Sequence, residues 1–303
     1  MKATAAAAPF LAKARGWSAT PLGLPIGLQL YTVGAEMDKD PIGTLKAIAD
    51  IGYKQVELSP LAKIAPAELK KALDDKGLKN PSGHFMLTEL IAGLKQKIDL
   101  AHLFGQQYMV VTVPGVSDPS RFKSDGKDQT AAFLGVLNSL TLDDWKWNAE
   151  QFNKIGEQIK RAGLQLCYHN HNFDFKPLDG TTGYDEFMRL TDRELVKFEL
   201  DCGWAVVAGV DPVAYLTNHA DRYCMLHIKD FKKGFFPSTK LGIHGPNTPV
   251  PTELGHGAID YRPVFEAARK AHIAGYYVEQ EPWVRDMPVL QAVQVDYEYL
   301  AHL

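Results

Sequence analysis

Four apolar, strand-like runs in the C-terminal half of the chain each end in side chains that bind metals or move protons. They are LQLCY before His169-Asn170-His171, VKFEL before Asp201, CML before His227-Ile228-Lys229-Asp230, and YYV before Glu279-Gln280-Glu281. The leading polar residues lie 32, 26 and 52 positions apart, one or two strand-plus-helix units each. Two imidazoles and two carboxylates form a donor set suited to a divalent cation, so His169, Asp201, His227 and Glu279 are the expected ligands. With nitrogen and oxygen donors, Mn, Co, Zn, Fe or Mg are all admissible. A cation there would act as a Lewis acid on a carbonyl oxygen and make the neighbouring C–H acidic enough for a side-chain base.

Spacing assigns further roles. Side chains alternate across a strand, so His169 and His171 share a face if the strand runs that far; one ligates while the other contacts substrate or transfers a proton. Glu279 and Glu281 repeat the pattern. Pro282 suggests that the chain has left the strand by Glu281, so Glu279 is the preferred ligand and Glu281 a substrate or acid/base group. Glu57 and His84 end two earlier strands and face either the same pocket or a pairing partner. Lys229 is either a solvated loop residue or a holder of an anionic sugar oxygen. Trp204, Trp283 and Tyr31 stand near strand ends, where an aromatic face stacks on a sugar ring or simply packs in the core.

The elements that must position these groups alternate. IGLQLYT (26–32) reads as a strand, followed by a helix over 41–52 entered through Pro41 and ended by Gly52. A strand follows around Glu57, then a helix near 66–76, an extended stretch to Gly83-His84, and a helix over 90–104. YMVVTV (108–113) is a continuous apolar run of the kind buried on both faces of a parallel sheet. Residues 115–142 are the least regular and read as an insertion or a loop over a site. Phe152, Ile155 and Ile159 recur at helical spacing before the strand that carries His169. Helices near 183–191, 211–219 and 261–273 separate the remaining strands. A Gly/Pro-rich loop spans 231–258, and a helical tail begins near 288. Eight strands alternating with helices predict one (βα)8 barrel over 26–303, whose strand C-termini converge on one face. A doubly wound open sheet is the rival, but neither G-x-G-x-x-G nor G-x-x-x-x-G-K-[ST] occurs to give it a nucleotide site.

The 303 residues are 46% hydrophobic and 23% charged, enough for a sizeable core. A net charge of −3 argues against nucleic acid as a partner, since phosphate binding leaves a basic footprint. No run approaches a membrane-spanning length. Cys167, Cys202 and Cys224 lie in or beside apolar strands and read as buried, reduced thiols. Residues 1–25 form an Ala/Pro-rich arm, either an irregular extension or the trimmed end of an export signal, so cytoplasmic and exported locations are both compatible. The expected partner is a small sugar or keto-sugar, and a homo-oligomer is left open.

These segments resemble the xylose-isomerase-like barrel superfamily, in its sugar phosphate isomerase/epimerase branch. The resemblance rests on GLQLYTV (27–33), IGYKQVEL (51–58), YHNHNFDF (168–175), ELDCGW (199–204), DPV (211–213), HIKDF (227–231), GHGAIDY (255–261) and YYVEQE (276–281). It implies a (βα)8 barrel with a divalent metal held from strands 5 to 8, Asp201, His227 and Glu279 falling on ligand positions. At strand 5 the epimerases commonly carry Glu where this chain has His169, and its loop reads GHG where relatives often have G-E-G. Epimerisation by two opposed glutamates is therefore in doubt. A metal-dependent sugar isomerase or epimerase working through an enediolate is the first reading. A 3-keto-glycoside lyase or hydratase is the second: the same carbanion expels a β leaving group, with a histidine as its acid. A non-catalytic sugar-binding barrel is the third, and an apurinic-endonuclease-like phosphodiesterase lacks the required basic groove.

Overall fold

A computed structural model describes residues 20–59, 64–122, 128–242, 248–281 and 287–303. Trp283, Pro282 and the arm up to residue 19 lie outside them. Eight parallel strands form the barrel: β1 (Gly27–Gln29), β2 (Gln55–Leu58), β3 (Lys79–Phe85), β4 (Tyr108–Val111), β5 (Gln165–His169), β6 (Val196–Asp201), β7 (Tyr223–Ile228) and β8 (Gly275–Val278). They pair in chain order, and β8 returns to β1, so the sheet has no free edge. The expected single α/β TIM barrel is therefore the fold.

Helices pack outside each crossover for reasons visible in sequence. Pro41–Ile51 starts with Pro in its first turn and with Asp40 Oδ1 accepting from Gly43 N at 2.9 Å. Leu142–Arg161 starts with a capping box between Thr141 and Asp144 and buries Phe152, Ile155 and Ile159. Those side chains meet an aromatic layer of Trp145, Tyr168, Phe187 and Phe198, with edge-on ring contacts 4.8–6.2 Å apart. Inside the barrel floor, Val110, Cys167, Met225 and Tyr277 are buried together.

Register sets which side chains share a level. His169 lies opposite Glu199 across β5 and β6, while Asp201 lies opposite His227 across β6 and β7. Gln29 lies opposite Glu57, and Glu57 opposite Ser82. Period-two alternation then points Glu57, His84, His169, Glu199, Asp201 and His227 into the barrel.

Several boundaries differ from expectation. β1 stops at Gln29 because its side-chain oxygen accepts from Tyr31 N at 3.1 Å and starts a 3-10 turn over Leu30–Val33. The segment read as irregular contains the helix Gln129–Asn138, capped by Asp128. In the long loop after β7, Asp230–Phe231 pairs antiparallel with Pro251–Thr252. A short helix, Cys202–Val207, follows β6 directly. Cys167 and Cys202 are buried as expected, but Cys224 is only half-buried, with its sulfur 3.2 Å from that of Cys167. Among the described residues no helix is long and apolar enough to cross a membrane.

Candidate metal centre and proton-transfer site

The C-terminal ends of β5 to β8 bring four side chains together. His169 and Asp201 close β5 and β6, His227 is the last residue but one of β7, and Glu279 follows β8 directly. Ligand atoms of all four lie within 4.8 Å of one another, and every one of the side chains is buried. Asp201 is held rigidly. Its backbone N–H donates to Asn170 Oδ1 at 2.9 Å, its carbonyl accepts from Asn170 Nδ2 at 3.2 Å, and its Oδ1 caps the next helix through Trp204 N at 2.7 Å. That leaves Oδ2 facing the other three residues. The middle residue of His-Asn-His thus fixes the neighbouring strand end.

Lys229 enters the same group. Its ammonium is 2.9 Å from Asp201 Oδ2 and 2.8 Å from both Glu279 Oε2 and Glu281 Oε1. The approach to Asp201 makes an ion pair but no directed hydrogen bond, so Oδ2 is a buried oxygen without a hydrogen-bond partner. Lys229 is 2% exposed, which replaces the solvated-loop alternative with a buried charge. Its stem runs over Gly203, where a Cβ would meet Lys229 Cγ at 2.3 Å, and its ammonium sits 5.1 Å from the Trp204 ring centroid. The Gly-Trp of ELDCGW therefore shapes the lysine's channel.

A second layer lies beneath the first. His169 Nδ1 is 3.0 Å from Glu199 Oε2, and His227 Nε2 is 2.6 Å from Glu57 Oε2. His84 Nε2 bridges both carboxylates, 2.9 Å from Glu57 and 3.1 Å from Glu199. Gln29 Nε2 donates to Glu57 Oε2 at 2.8 Å, and Ser82 Oγ donates to Glu57 Oε1. Glu57 and His84, for which the sequence left a pocket role and a pairing role open, both point into the barrel. They lie below His169, Asp201, His227 and Glu279 and hydrogen-bond to protein side chains.

Electrostatics separate the groups. His169 is held well below the ordinary histidine value by burial and then by the neighbouring His227 and His171, so it is neutral and has a lone pair to give. Burial also opposes charge on His227, but Glu199, Glu279 and Glu57 outweigh it and raise its pKa. Burial and the nearby Lys229 push His171 down to about 3. It is thus neutral at pH 7, unlike the histidine of ordinary pKa that the sequence reading took as an acid. Burial and Glu279 raise Glu281 to about 7 against the pull of Lys229. Burial and Glu57 likewise raise Glu199 to about 7.

The strand ends at His169, and His171 instead begins a 3-10 turn over Asn172–Phe175. Its ring still stands 5.1 Å from that of His169 and 6.0 Å from Trp204, with Nδ1 buried and unpartnered. Tyr31 is 42% exposed on the turn after β1 and belongs to neither layer. An apolar cavity of about 470 Å³ opens beside the mouth between Leu87, Val113, Pro114, Phe122 and Phe133. None of His169, Asp201, His227 and Glu279 lines it.

Sequence reasoning passed over Glu199, the carboxylate on which three histidines converge. It stands two residues before Asp201, so the alternation that paired Glu279 with Glu281 places it on the same face. It also passed over the anchor of the GHG loop. Asp230 accepts backbone N–H bonds from Gly257, Ala258 and Ile259 at 3.0–3.1 Å and from Gly255 at 3.3 Å, tying residues 255–259 beneath the mouth.

Residues 45–302 match the family model described as the xylose isomerase-like TIM barrel. An inosose dehydratase of Clostridium perfringens is 30% identical, over 78% of this chain and 82% of its own length. An inosose dehydratase of Lacticaseibacillus casei is 27% identical, over 76% of this chain and 79% of its own. The solved structure of a sugar phosphate isomerase/epimerase from Parabacteroides distasonis superposes with a TM-score of 0.70 at 26% identity, covering 91% and 93% of the two chains.

Proposed function

The chain belongs to the xylose isomerase-like TIM barrel family, and on that footing we propose that it is a divalent-metal-dependent lyase removing water from a cyclic keto-polyol of the inosose type. The observation that carries the reading is the convergence of His169, Asp201, His227 and Glu279 beside the buried Lys229 ammonium. The names of the sequence relatives favour elimination over isomerisation, which reverses the order of the two sequence-based readings.

The residues fit a cation. The set has two nitrogen and two carboxylate donors, Asp201 Oδ2 is a buried oxygen without a hydrogen-bond partner, and His169 is neutral. His169, Asp201, His227 and Glu279 would hold it. When bound, it supplies Lewis-acid stabilisation of the negative charge that develops on substrate oxygen.

The chain's own groups supply the proton movements. His171, whose ring stands 5.1 Å from that of His169 and 6.0 Å from that of Trp204, takes the proton from the carbon next to the carbonyl. The C–H electron pair becomes the new C=C bond, and the β C–O bond breaks. Glu281, raised to about 7 and joined to Lys229, donates the proton that turns the leaving hydroxyl into water. Lys229 holds Glu281 in place and offsets part of the negative charge of Asp201 and Glu279 beside it.

The test is incubation of metal-loaded protein with an inosose in deuterated water, followed by mass spectrometry and NMR. A product lighter by one water supports the dehydratase. An epimer or isomer carrying deuterium at the α-carbon, without loss of water, replaces it with the isomerase reading. Release of an aglycone from a 3-keto-glycoside, with inosose unchanged, keeps the elimination but changes the substrate class.

A further inference from the structure

The two ligand histidines each turn one ring nitrogen to the mouth and the other to a buried glutamate. His169 faces Asp201 Oδ2 through Nε2 at 3.6 Å and Glu199 Oε2 through Nδ1 at 3.0 Å. His227 is reversed: Nδ1 lies 2.8 Å from Glu279 Oε2, and Nε2 lies 2.6 Å from Glu57 Oε2. An imidazole can give a lone pair to a cation from one nitrogen only if the other keeps its proton, and a carboxylate acceptor keeps it there.

We infer that Glu199 and Glu57 are positioning residues that lock the two ligand imidazoles in opposite tautomers, His169 protonated at Nδ1 and His227 at Nε2. The inference rests on the proposed metal centre and adds the residues that prepare it. Glu199 lies under His169. It is also 3.3 Å from His227 Nε2, but the nearer acceptor for that nitrogen is Glu57 at 2.6 Å, so each glutamate orients one ring and its proton. Ser82 and Gln29 hold Glu57 from the far side, so the support is itself rigid. His84 stands between the two carboxylates and places an N–H where they would otherwise repel.

The inner layer has its own claim to a cation, because His84, His169, Glu199 and His227 also lie within 4.8 Å of one another. A cation there would require the other nitrogen of both shared histidines and would empty the mouth of its imidazole ligands. Glu57, outside that set, argues against this, because it already engages His227 Nε2 at 2.6 Å and His84 Nε2 at 2.9 Å. Its two oxygens already serve Gln29, Ser82, His84 and His227, and such a saturated carboxylate accepts protons rather than awaiting a metal. Asp201 Oδ2 in the mouth and Glu199 Oε1 in the inner layer are both buried without a hydrogen-bond partner, so it is these histidine contacts that separate the two layers.

The experiment is Co(II) titration of the full chain and of Glu199→Gln and Glu57→Gln, followed by visible absorption, near-UV circular dichroism and NMR of the Co(II) proteins. Glutamine keeps the size and an acceptor oxygen but not the charge. Each variant is expected to fold, to bind Co(II) about 10–100-fold more weakly, and to show shifted ligand-field bands. The wild-type spectrum should contain two paramagnetically shifted, exchangeable imidazole N–H signals, one of which is lost to solvent exchange in each variant. Folded variants with unchanged affinity and both signals would overturn the positioning role. Two cobalt ions per chain, one of them lost in Glu199→Gln, would overturn it by making the inner layer a metal site. A wild-type protein that binds no cobalt would instead sink the metal-dependent function itself.

Discussion

The Nζ of Lys229 lies 2.9 Å from Oδ2 of Asp201, so the chain's own ammonium shares an oxygen with the proposed cation. It also lies 2.8 Å from Glu279 Oε2, a second ligand oxygen. Two positive charges at such range repel strongly in a buried site, at about 4 kcal/mol per unit pair at 4 Å with an effective dielectric of 20. Lys229→Met, which keeps the stem, is expected to tighten Co(II) binding by about tenfold or more while abolishing turnover. Isothermal titration beside an activity assay checks this, and equal affinity would show that the two cations do not compete. Without metal the same variant leaves three buried carboxylates short of a cation, and should lose about 3–5 kcal/mol in urea unfolding.

Removing the metal should act on stability as well as activity. A cation at a free concentration 100 times its Kd stabilises the folded state by about 2.7 kcal/mol, provided the unfolded chain does not bind it. Dialysis against a chelator is therefore expected to lower Tm and abolish turnover, with both restored by Mn(II), Co(II) or Zn(II). A Tm and rate indifferent to chelator would remove the metal from the mechanism.

Asp296 provides a pH test away from the centre. Burial raises its carboxyl from 3.8 to about 8, against the N–H of Leu254 and the amide of Gln280, which donate to it. Between those values the folded state keeps a proton that the unfolded chain has released. Its contribution to stability therefore declines as pH rises from about 4 to about 8. Asp296→Asn cannot release that proton, and Gln280 can turn its amide to preserve the contact. The variant should flatten the fall in unfolding free energy across this window, measured by urea titration at several pH values. Parallel curves for both proteins would refute the assignment.

Gly257 tests the anchor of the GHG loop. A Cβ there would stand 2.1 Å from Asp230 Oδ1 and 2.5 Å from the Phe231 carbonyl oxygen. Gly257→Ala must push the loop off the carboxylate, and is expected to cost about 1–3 kcal/mol and speed amide exchange at residues 255–259. Asp230→Ala should have the same effect on exchange without the clash. Protection unchanged in both would mean that the loop is held elsewhere.

Much of the barrel was legible because its signals are local. Pro41, Gly52, the 152-155-159 stripe and the apolar run before His169 each declare a boundary within a few residues. The helices Gln129–Asn138 and Cys202–Val207 were not legible. The first has an apolar stripe too weak to stand out, and the second is a short helix that starts where Asp201 Oδ1 caps Trp204 N.

The sequence by itself determined the eight strand-and-helix units and the residue types at four strand ends, because alternation and spacing are properties of the chain. It also determined that strand 5 ends in histidine, the feature that set elimination beside epimerisation. Only the tertiary structure decided which groups meet. Strand register put Glu199 beside His169 and Asp201 beside His227, so two inward carboxylates of one strand fall in different layers. It also drew Lys229 from a loop reading into a buried cluster of three acids. Such encounters depend on closure of the barrel across 170 residues between Glu57 and His227, and no local pattern encodes a distance between them.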